Sequence, residues 1–326
     1  MQYFETPPFR PPSEANSLLV RATRYCSWNR CTFCHGSLWD RNKLELRSVE
    51  DVKQDIRSMK ALADEITSHA ATIGYGDHIG QVAAYNGILW LTSDGVKTAF
   101  IGDSDSLIMK TPDLIAIIEF IYQNFPTLER VTSYARAKTV LRKTPEEMKQ
   151  LSNAGLTRLH LGLETGDDEL LKYIDKGATA DEMIEAGKRV KEAGISLSEY
   201  VLMGIGGQDR WREHAEGTAR VLNAIDPDFI RVRTIMVLPG TPLEEEFKTG
   251  RYKLLSSEGV LQEERLLIEL LEVNSQFVSD HVSNYLPIDG KLPEDKKKML
   301  ERLDTILTTP PDLRANILQD ERLRHP

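Results

Sequence analysis

Short apolar segments alternate with longer segments of helical periodicity over most of this chain. Six of the short segments have the length and apolar content of strands: 17–23, 98–102, 131–135, 157–163, 196–203 and 229–237. The segments between them carry apolar residues at helical spacing, namely 48–71, a helix from 111, another from 144, 167–174, 181–193 and 211–224. This alternation favours a parallel sheet in the α/β class, and six strands predict a partial (β/α)6 TIM-like barrel. A doubly wound open sheet is the alternative architecture.

Residues typical of helix ends support these boundaries. Ser48 precedes the first helical segment, where a serine side chain can accept a hydrogen bond from an unpaired backbone amide. Pro112 and Pro145 stand at the first position of their helices, a position that tolerates proline. Gly194 follows the helix predicted over 181–193, as expected of a residue that ends a helix in the left-handed conformation.

Two parts of the chain depart from the alternation. Residues 74–95 are rich in glycine and aromatic residues and are predicted to form a long loop or insertion. Beyond residue 239 the chain becomes charged, and helices are predicted over 261–282 and 294–307. We therefore expect three parts: an N-terminal extension (1–16), the partial barrel (17–243) and a helical C-terminal extension (244–326).

Composition and charge narrow the class of partner. The 326 residues carry a net charge of −9, from 41 basic and 50 acidic residues, which disfavours nucleic acid as a partner because phosphate binding needs clustered Lys and Arg. No stretch approaches the roughly 20 consecutive apolar residues of a membrane span. The first twelve residues contain no apolar run of signal-peptide length, so a cytoplasmic protein with no membrane association is expected.

The three cysteines of the chain all lie in one segment, Cys26-Ser-Trp-Asn-Arg-Cys31-Thr-Phe-Cys34, directly after the first predicted strand. An odd, tightly clustered set of cysteines does not fit a disulfide framework, so this segment predicts a metal site. Parallel-strand proteins place their chemistry at this end of a strand.

Three kinds of metal site are compatible with three clustered thiols. A structural zinc ion needs four closed ligands, and His35 is the nearest candidate for the fourth. A plant-type ferredoxin cluster has the same cysteine spacing but requires a fourth cysteine, which this chain lacks. In the third kind, three cysteines bind three irons of a 4Fe–4S cluster and leave the fourth iron open, as catalytic metal centres require.

With this cysteine loop, the chain resembles the radical S-adenosylmethionine (SAM) superfamily, and within it the coproporphyrinogen-oxidase-like and methylthiotransferase-like branches. The usual loop of that superfamily is C-x3-C-x2-C with an aromatic residue before the last cysteine, the position of Phe33 here. This chain has one more residue between Cys26 and Cys31. The resemblance extends over about residues 17–243.

The resemblance implies roles for residues at the ends of the other strands. Gly102, Asp103, Ser104 and Asp105 stand where the superfamily holds the amino group of methionine, although an acidic turn that caps the next helix is the simpler interpretation. Glu164 matches the position that binds the ribose, and Lys176 the position that pairs with the methionine carboxylate. The remaining SAM contacts implied are Arg136, for the carboxylate or the substrate, and Met203 and Gly204, near the adenine.

Periodicity adds one structural expectation around Glu164. Because side chains alternate along a strand, His160, Gly162 and Glu164 share one face, whereas Leu159, Leu161 and Leu163 share the other. On the next strands, Glu199, Arg231 and Arg233 either face an anionic substrate or form buried ion pairs.

The function implied is that of a radical SAM enzyme with one 4Fe–4S cluster and SAM as cofactors. Such an enzyme takes one electron from a flavodoxin or ferredoxin, cleaves SAM to methionine and a 5′-deoxyadenosyl radical, and abstracts hydrogen from a small or medium organic substrate. No cysteine remains for a second cluster. The alternative is a non-radical barrel protein in which the cysteines form a structural zinc or iron–sulfur clamp.

Overall fold

The computed structural model describes residues 4–34 and 42–318, which fall into two compact units. The first unit contains the described residues up to 27, together with 43–160 and 192–195. The second unit contains the described residues of 28–42, together with 161–191 and those from 196 onward.

The first unit is an α/β arrangement in which the long strands are parallel. Strand β1 pairs in parallel with β4, and β4 with β5, whereas the short strands β2 and β3 form an antiparallel pair. The elements are β1 (Leu18–Arg21), β2 (Thr23–Arg24), β3 (Glu45–Leu46), α1 (Val49–Thr72), α2 (Ile79–Tyr85), β4 (Thr98–Gly102), α3 (Thr111–Asn124), β5 (Arg130–Ala135), α4 (Ala137–Arg142), α5 (Pro145–Asn153) and β6 (Leu156–Glu164). Strand β6 begins in this unit, and its last residues belong to the second.

Local sequence explains where these helices begin. The Ser48 hydroxyl accepts a hydrogen bond from the Asp51 amide at 3.1 Å, which caps α1 as predicted. Thr144 and Glu147 form a reciprocal capping box at the start of α5. Helix α3 buries its apolar face, which consists of Leu114, Ile117, Ile118 and Ile121.

The second unit continues the pattern and adds strands at its C-terminal end. Strands β7 and β8 are parallel, β8 pairs in parallel with β9, and β9 pairs antiparallel with β10. The elements are α6 (Asp168–Tyr173), α7 (Ala180–Glu192), β7 (Ser196–Met203), α8 (Gly207–Ile225), β8 (Phe229–Thr234), α9 (Pro242–Lys248), α10 (Ser257–Leu270), β9 (Gln276–Val278), β10 (Asp289–Lys291), α11 (Lys296–Thr308) and α12 (Pro311–Ile317).

The predicted α/β class, with parallel strands joined by helices, is confirmed. Each of the six predicted strands overlaps one of β1 and β4–β8, although β1 ends at Arg21 and β8 at Thr234, before the predicted ends at 23 and 237. The helix predicted over 261–282 is wrong in its second half, because α10 ends at Leu270 and Phe277 is fully buried in β9. The segment 74–95 contains the helix α2 instead of loop alone. Within the described ranges, no helix is both long enough and apolar enough to cross a membrane.

Candidate functional site

In the first unit, Cys26 lies between two residues that are both bound by the turn after β4. The Tyr25 amide donates to Asp103 Oδ2 at 3.0 Å, and the Ser27 hydroxyl donates to Asp105 Oδ2 at 2.5 Å. The Cys26 side chain itself is partly buried. The acidic turn therefore contacts the chain immediately before and immediately after the first cysteine.

Asp105 is fully buried, and both of its oxygens accept hydrogen bonds. Oδ2 also accepts from the Thr139 hydroxyl at 2.6 Å, and Oδ1 accepts from the Arg136 amide at 3.3 Å. Burial raises the pKa of Asp105, while the bonds from Ser27 and Thr139 oppose that rise because they favour the charged form. Arg136 is the N-cap residue of α4, so Asp105 is tied to the start of that helix.

Asp103 keeps one oxygen available. Its Oδ2 accepts from the Arg21 guanidinium at 2.8 Å as well as from Tyr25, whereas its buried Oδ1 has no hydrogen-bond partner among the described residues. Burial is the largest influence on the pKa of Asp103 and raises it, with Arg21 acting in the opposite direction. An unpaired carboxylate oxygen in a buried position fits an ammonium group as its partner.

The other two residues predicted in this turn lie beside these carboxylates. Gly102 is the last residue of β4, and a Cβ atom there would lie 2.6 Å from Pro7 Cβ. The absence of a side chain at position 102 therefore lets Pro7 pack against the backbone of this strand. Ser104 is half-buried in the bend that follows.

In the second unit, the segment that carries Cys31 and Cys34 is held by the turn after α6. The Trp28 indole donates to the Asp175 carbonyl at 2.6 Å, and the Thr32 amide donates to the Ile174 carbonyl at 2.9 Å. Both cysteine side chains are partly buried. His35, the alternative fourth zinc ligand, lies outside the described residues.

Phe33 packs against an apolar cluster of the second unit. The cluster consists of Leu170, Ile174, Leu202, Ile205, Ile235, Leu243 and Tyr252, and Val237 and Leu254 also pack on it. The Leu243 amide donates to the Thr32 carbonyl at 3.0 Å, so the residue before Phe33 is bound by the start of α9.

Glu164 and Lys176 form a mostly buried ion pair with a nitrogen–oxygen distance of 2.8 Å. The backbone of Glu164 is left-handed, with φ of 62°, which is uncommon for a residue other than glycine and concentrates at functional sites. A Cβ atom on Gly162 would lie 2.3 Å from Glu164 Oε1 and 2.8 Å from Lys176 Nζ. The ion pair in this geometry therefore occupies the space that a side chain at position 162 would enter.

Hydrogen bonds connect the turn after Glu164 to α8, through residues for which the sequence predicted no role. The Gly166 amide donates to the Thr218 hydroxyl at 2.9 Å, and Thr165 Oγ1 lies 2.8 Å from His214 Nδ1. A Cβ atom on Gly166 would lie 2.1 Å from the Gly217 carbonyl oxygen, so turn and helix are in backbone contact. Burial lowers the pKa of His214 to about 4, which keeps the imidazole neutral. The sequence signal that could have revealed this contact is the pair His214 and Thr218, two polar residues four positions apart on the buried face of α8.

A cavity of about 390 Å³ opens beside the C-terminal end of β7, and it is lined without a charged side chain. The Gly204 amide donates to Glu263 Oε2 at 2.5 Å and the Tyr252 hydroxyl donates to the Gly204 carbonyl at 2.6 Å, so both polar backbone groups of this glycine are satisfied from the C-terminal region. Met203, the last residue of β7, is fully buried. The lining residues are Gly204, Thr234, Ile235, Met236, Val237, Leu238, Pro239, Phe247, Leu254, Leu255, Val260 and Tyr285.

Glu199 does not share a face of the sheet with Arg231 and Arg233. The expectation that all three face one substrate, or pair with each other, is therefore wrong for Glu199. Tyr200 is the register partner of Arg231, so Glu199 points to the opposite side of the sheet. The guanidinium of Arg233 lies over the Tyr200 ring, 4.9 Å from its centre. Glu199 Oε2 is buried without a hydrogen-bond partner among the described residues, and burial raises the pKa of this carboxyl to about 8 against the opposing effect of Lys176.

The donor set fits an iron–sulfur cluster and SAM better than a hard cation. Three thiols within nine residues are soft ligands that suit iron–sulfur clusters or zinc. In the first unit, the unpaired Oδ1 of Asp103 suits an ammonium group, and in the second unit the Glu164–Lys176 pair offers one group of each charge. Among the described residues, no group of three or more His, Cys, Asp and Glu side chains is drawn together around a metal position.

Comparison with known proteins places the sequence in a family. The sequence model of the Radical SAM superfamily matches residues 20–222, more than half of the chain. A tRNA uridine(34) acetyltransferase from Methanocaldococcus jannaschii is 28% identical over 118 residues, which are 36% of this chain and 22% of that protein. The heme chaperone HemW of Bacillus subtilis is 22% identical over 180 residues, 55% of this chain and 47% of HemW. The chain thus spans less than half the length of either relative.

A solved structure supports the fold. The cobalamin-dependent SAM radical enzyme OxsB, with aqua-cobalamin and S-adenosylmethionine bound, superposes with a TM-score of 0.51 and 16% identity, over 79% of this chain and 41% of OxsB. At this identity the likeness concerns the fold alone.

Proposed function

Because the chain belongs to the Radical SAM superfamily, we propose that it is a radical SAM enzyme that holds one 4Fe–4S cluster on Cys26, Cys31 and Cys34. The observation that carries this proposal is the cysteine loop inside the matched region, in a chain with no further cysteine. Cys26, Cys31 and Cys34 would be the protein ligands of a cluster bound there, and one iron would be left open to a small molecule. When bound, the cluster supplies the electron that cleaves the carbon–sulfur bond of SAM.

In the first unit, Asp103 would bind the amino group of SAM. Its Oδ2 is fixed by Arg21 and by the Tyr25 amide, which orients the unpaired Oδ1. A carboxylate held in this way accepts a charge-assisted hydrogen bond from an ammonium group without first reorganising. Both oxygens of Asp105 are engaged with the protein chain, by Ser27 of the cysteine loop and by the start of α4.

In the second unit, Glu164 and Lys176 would bind the ribose and the methionine carboxylate of SAM. The Lys176 ammonium would pair with the methionine carboxylate, and the Glu164 carboxylate would accept hydrogen bonds from the ribose hydroxyls. Their mutual ion pair at 2.8 Å holds both side chains in place before SAM arrives.

The apolar cavity beside Gly204 would receive the adenine. An uncharged lining excludes water and accepts a neutral heteroaromatic ring at little desolvation cost. Met203 ends β7, and Gly204, the next residue, lines this cavity. Phe33 packs on the apolar cluster that contains Ile235, and Ile235 also lines the cavity.

A small or medium organic molecule is the proposed substrate, and a flavodoxin or ferredoxin the proposed electron donor. One relative acts on tRNA according to its name. The net charge of −9 of this chain disfavours an RNA backbone as its main partner.

Metal and sulfide content after anaerobic reconstitution tests the proposal against the zinc clamp. The radical SAM function predicts about four irons and four sulfides per chain, and a change in the electron paramagnetic resonance spectrum of the reduced cluster when SAM is added. A variant with Cys26, Cys31 and Cys34 all changed to Ala is the control and should take up no cluster. Uptake of one zinc and no iron by the native chain would overturn the proposal.

A further inference from the structure

We propose that the acidic turn of Asp103 and Asp105 positions the thiol of Cys26 for the cluster. The inference rests on the proposed function in that Cys26 is taken as a cluster ligand. It assigns to Asp105, and to one oxygen of Asp103, a contact with the protein chain on either side of Cys26 and not with SAM.

The contact before Cys26 fixes an unfavourable backbone conformation. Tyr25 has φ of 69°, in the left-handed region that side chains larger than glycine rarely occupy. Its amide donates to Asp103 Oδ2 at 3.0 Å, and Arg21 neutralises the same carboxylate at 2.8 Å. A conformation of this kind persists only where surrounding groups hold it, so Asp103 sets the direction in which the chain enters Cys26.

The contact after Cys26 comes from a carboxylate that cannot move easily. Asp105 is completely buried and accepts from three donors, of which Ser27 belongs to the cysteine loop and Thr139 and Arg136 belong to α4 and its cap. The Ser27 hydroxyl therefore ties the loop to the start of α4. With both neighbours fixed, the backbone that carries Cys26 is restrained, which lowers the conformational entropy that cluster binding must remove.

Cys31 and Cys34 provide internal controls because their segment is bound by other groups. The amide of Thr32 donates to the Ile174 carbonyl in the second unit, where neither Asp103 nor Asp105 lies. A change at Ser27 should therefore alter Cys26 and leave the two later cysteines as they are.

The experiment measures alkylation rates of the three thiols separately, by mass spectrometry, in the full chain without iron. Ser27→Ala should raise the rate at Cys26 about tenfold relative to Cys31 and Cys34, the factor expected from loss of one hydrogen bond to a carboxylate. Ser27→Thr, which keeps the hydroxyl, should restore the native ratio. Thr139→Val is the matched control, because it removes a hydrogen bond from the same oxygen of Asp105 without touching the loop.

A second arm follows the cluster itself in chains that have been loaded with iron and sulfide. Ser27→Ala should lose iron to a chelator about ten- to a hundredfold faster than Thr139→Val, since removing groups that orient metal ligands typically costs that factor in metal affinity. The paramagnetic spectrum of the reduced cluster should also change in Ser27→Ala alone.

The proposal is overturned if Ser27→Ala leaves the relative alkylation of Cys26 unchanged, or if Thr139→Val raises it equally. A native chain that takes up no iron would count against the proposed function only. The alkylation ratios are measured without iron and decide the positioning role in either case.

Discussion

The Lys176 ammonium lies 2.8 Å from the Glu164 carboxylate, beside Gly162, where an added Cβ atom would force the ends of both side chains to shift. Glu164 holds its place with a left-handed backbone, and the turn after it is bonded to α8. Its position at the end of β6, its backbone conformation and its ion pair with Lys176 all mark the Glu164 carboxylate as a functional group.

Gly162→Ala should weaken SAM binding about tenfold or more. The added Cβ would lie 2.3 Å from Glu164 Oε1, so the ion pair must shift away from its native geometry. Calorimetric titration of the iron-loaded chain with SAM measures the effect. Gly76→Ala is the control, because a Cβ there meets nothing closer than 3.8 Å. Native affinity in Gly162→Ala would contradict the role of the pair.

Lys176→Met should lower SAM affinity about ten- to a hundredfold, because a charge-assisted hydrogen bond to a carboxylate is lost. Lys176→Arg keeps the charge and should retain most of the affinity. The dissociation constant of SAM, measured at equal cluster content, separates the two variants. Equal weakening by both would indicate that packing around Lys176, and not its charge, is what SAM binding requires.

The buried His214 should make the protein less stable as the pH falls from about 6.5 to about 4. Its pKa in the folded chain is lowered to about 4 by burial, so the unfolded chain binds more protons in this range and unfolding is favoured. The linkage amounts to about 3 kcal/mol at most. Urea unfolding at pH 7 and pH 5 should show a smaller difference in His214→Gln than in the native chain. Exposed His69→Gln is the control and should show the same difference in unfolding between pH 7 and pH 5 as the native chain. The same difference in His214→Gln would refute the assignment to His214.

Glu199 should act in the opposite direction at higher pH. Burial raises its pKa to about 8, so the folded chain retains a proton that the unfolded chain releases, and stability falls as the pH rises from about 4.5 to about 8. Glu199→Gln removes the titrating group with little change in shape, and should unfold at higher urea concentration than the native chain at pH 8.5. Exposed Glu192→Gln should show no such gain. A destabilised Glu199→Gln at that pH would show that the carboxylate is needed in its charged form.

The alternating pattern predicted much of the fold, and the cysteine spacing predicted the candidate metal ligands. Strand and helix periodicity are local properties, as is the cap predicted at Ser48, which is present. The placement of Gly162 on the face of Glu164 also follows from the period of two along a strand, and the structure agrees.

Contacts between distant parts of the chain could not be predicted in this way. His214 meets Thr165 across 49 positions, and Ser27 meets Asp105 across 78. Helix α10 ends at Leu270, and the chain after it forms β9, which pairs with β8 through Gln276 and Phe229. This pairing joins positions that are distant in the sequence. Periodicity carries no information on such partners.

The most direct test of the account is the formation of 5′-deoxyadenosine from SAM by the anaerobically reconstituted chain with dithionite. The native chain should form this product, and the variant with Cys26, Cys31 and Cys34 changed to Ala should form none. Absence of product from a native chain that carries a full cluster and binds SAM, or equal product from the cysteine variant, would contradict the proposal that this loop supports reductive cleavage of SAM.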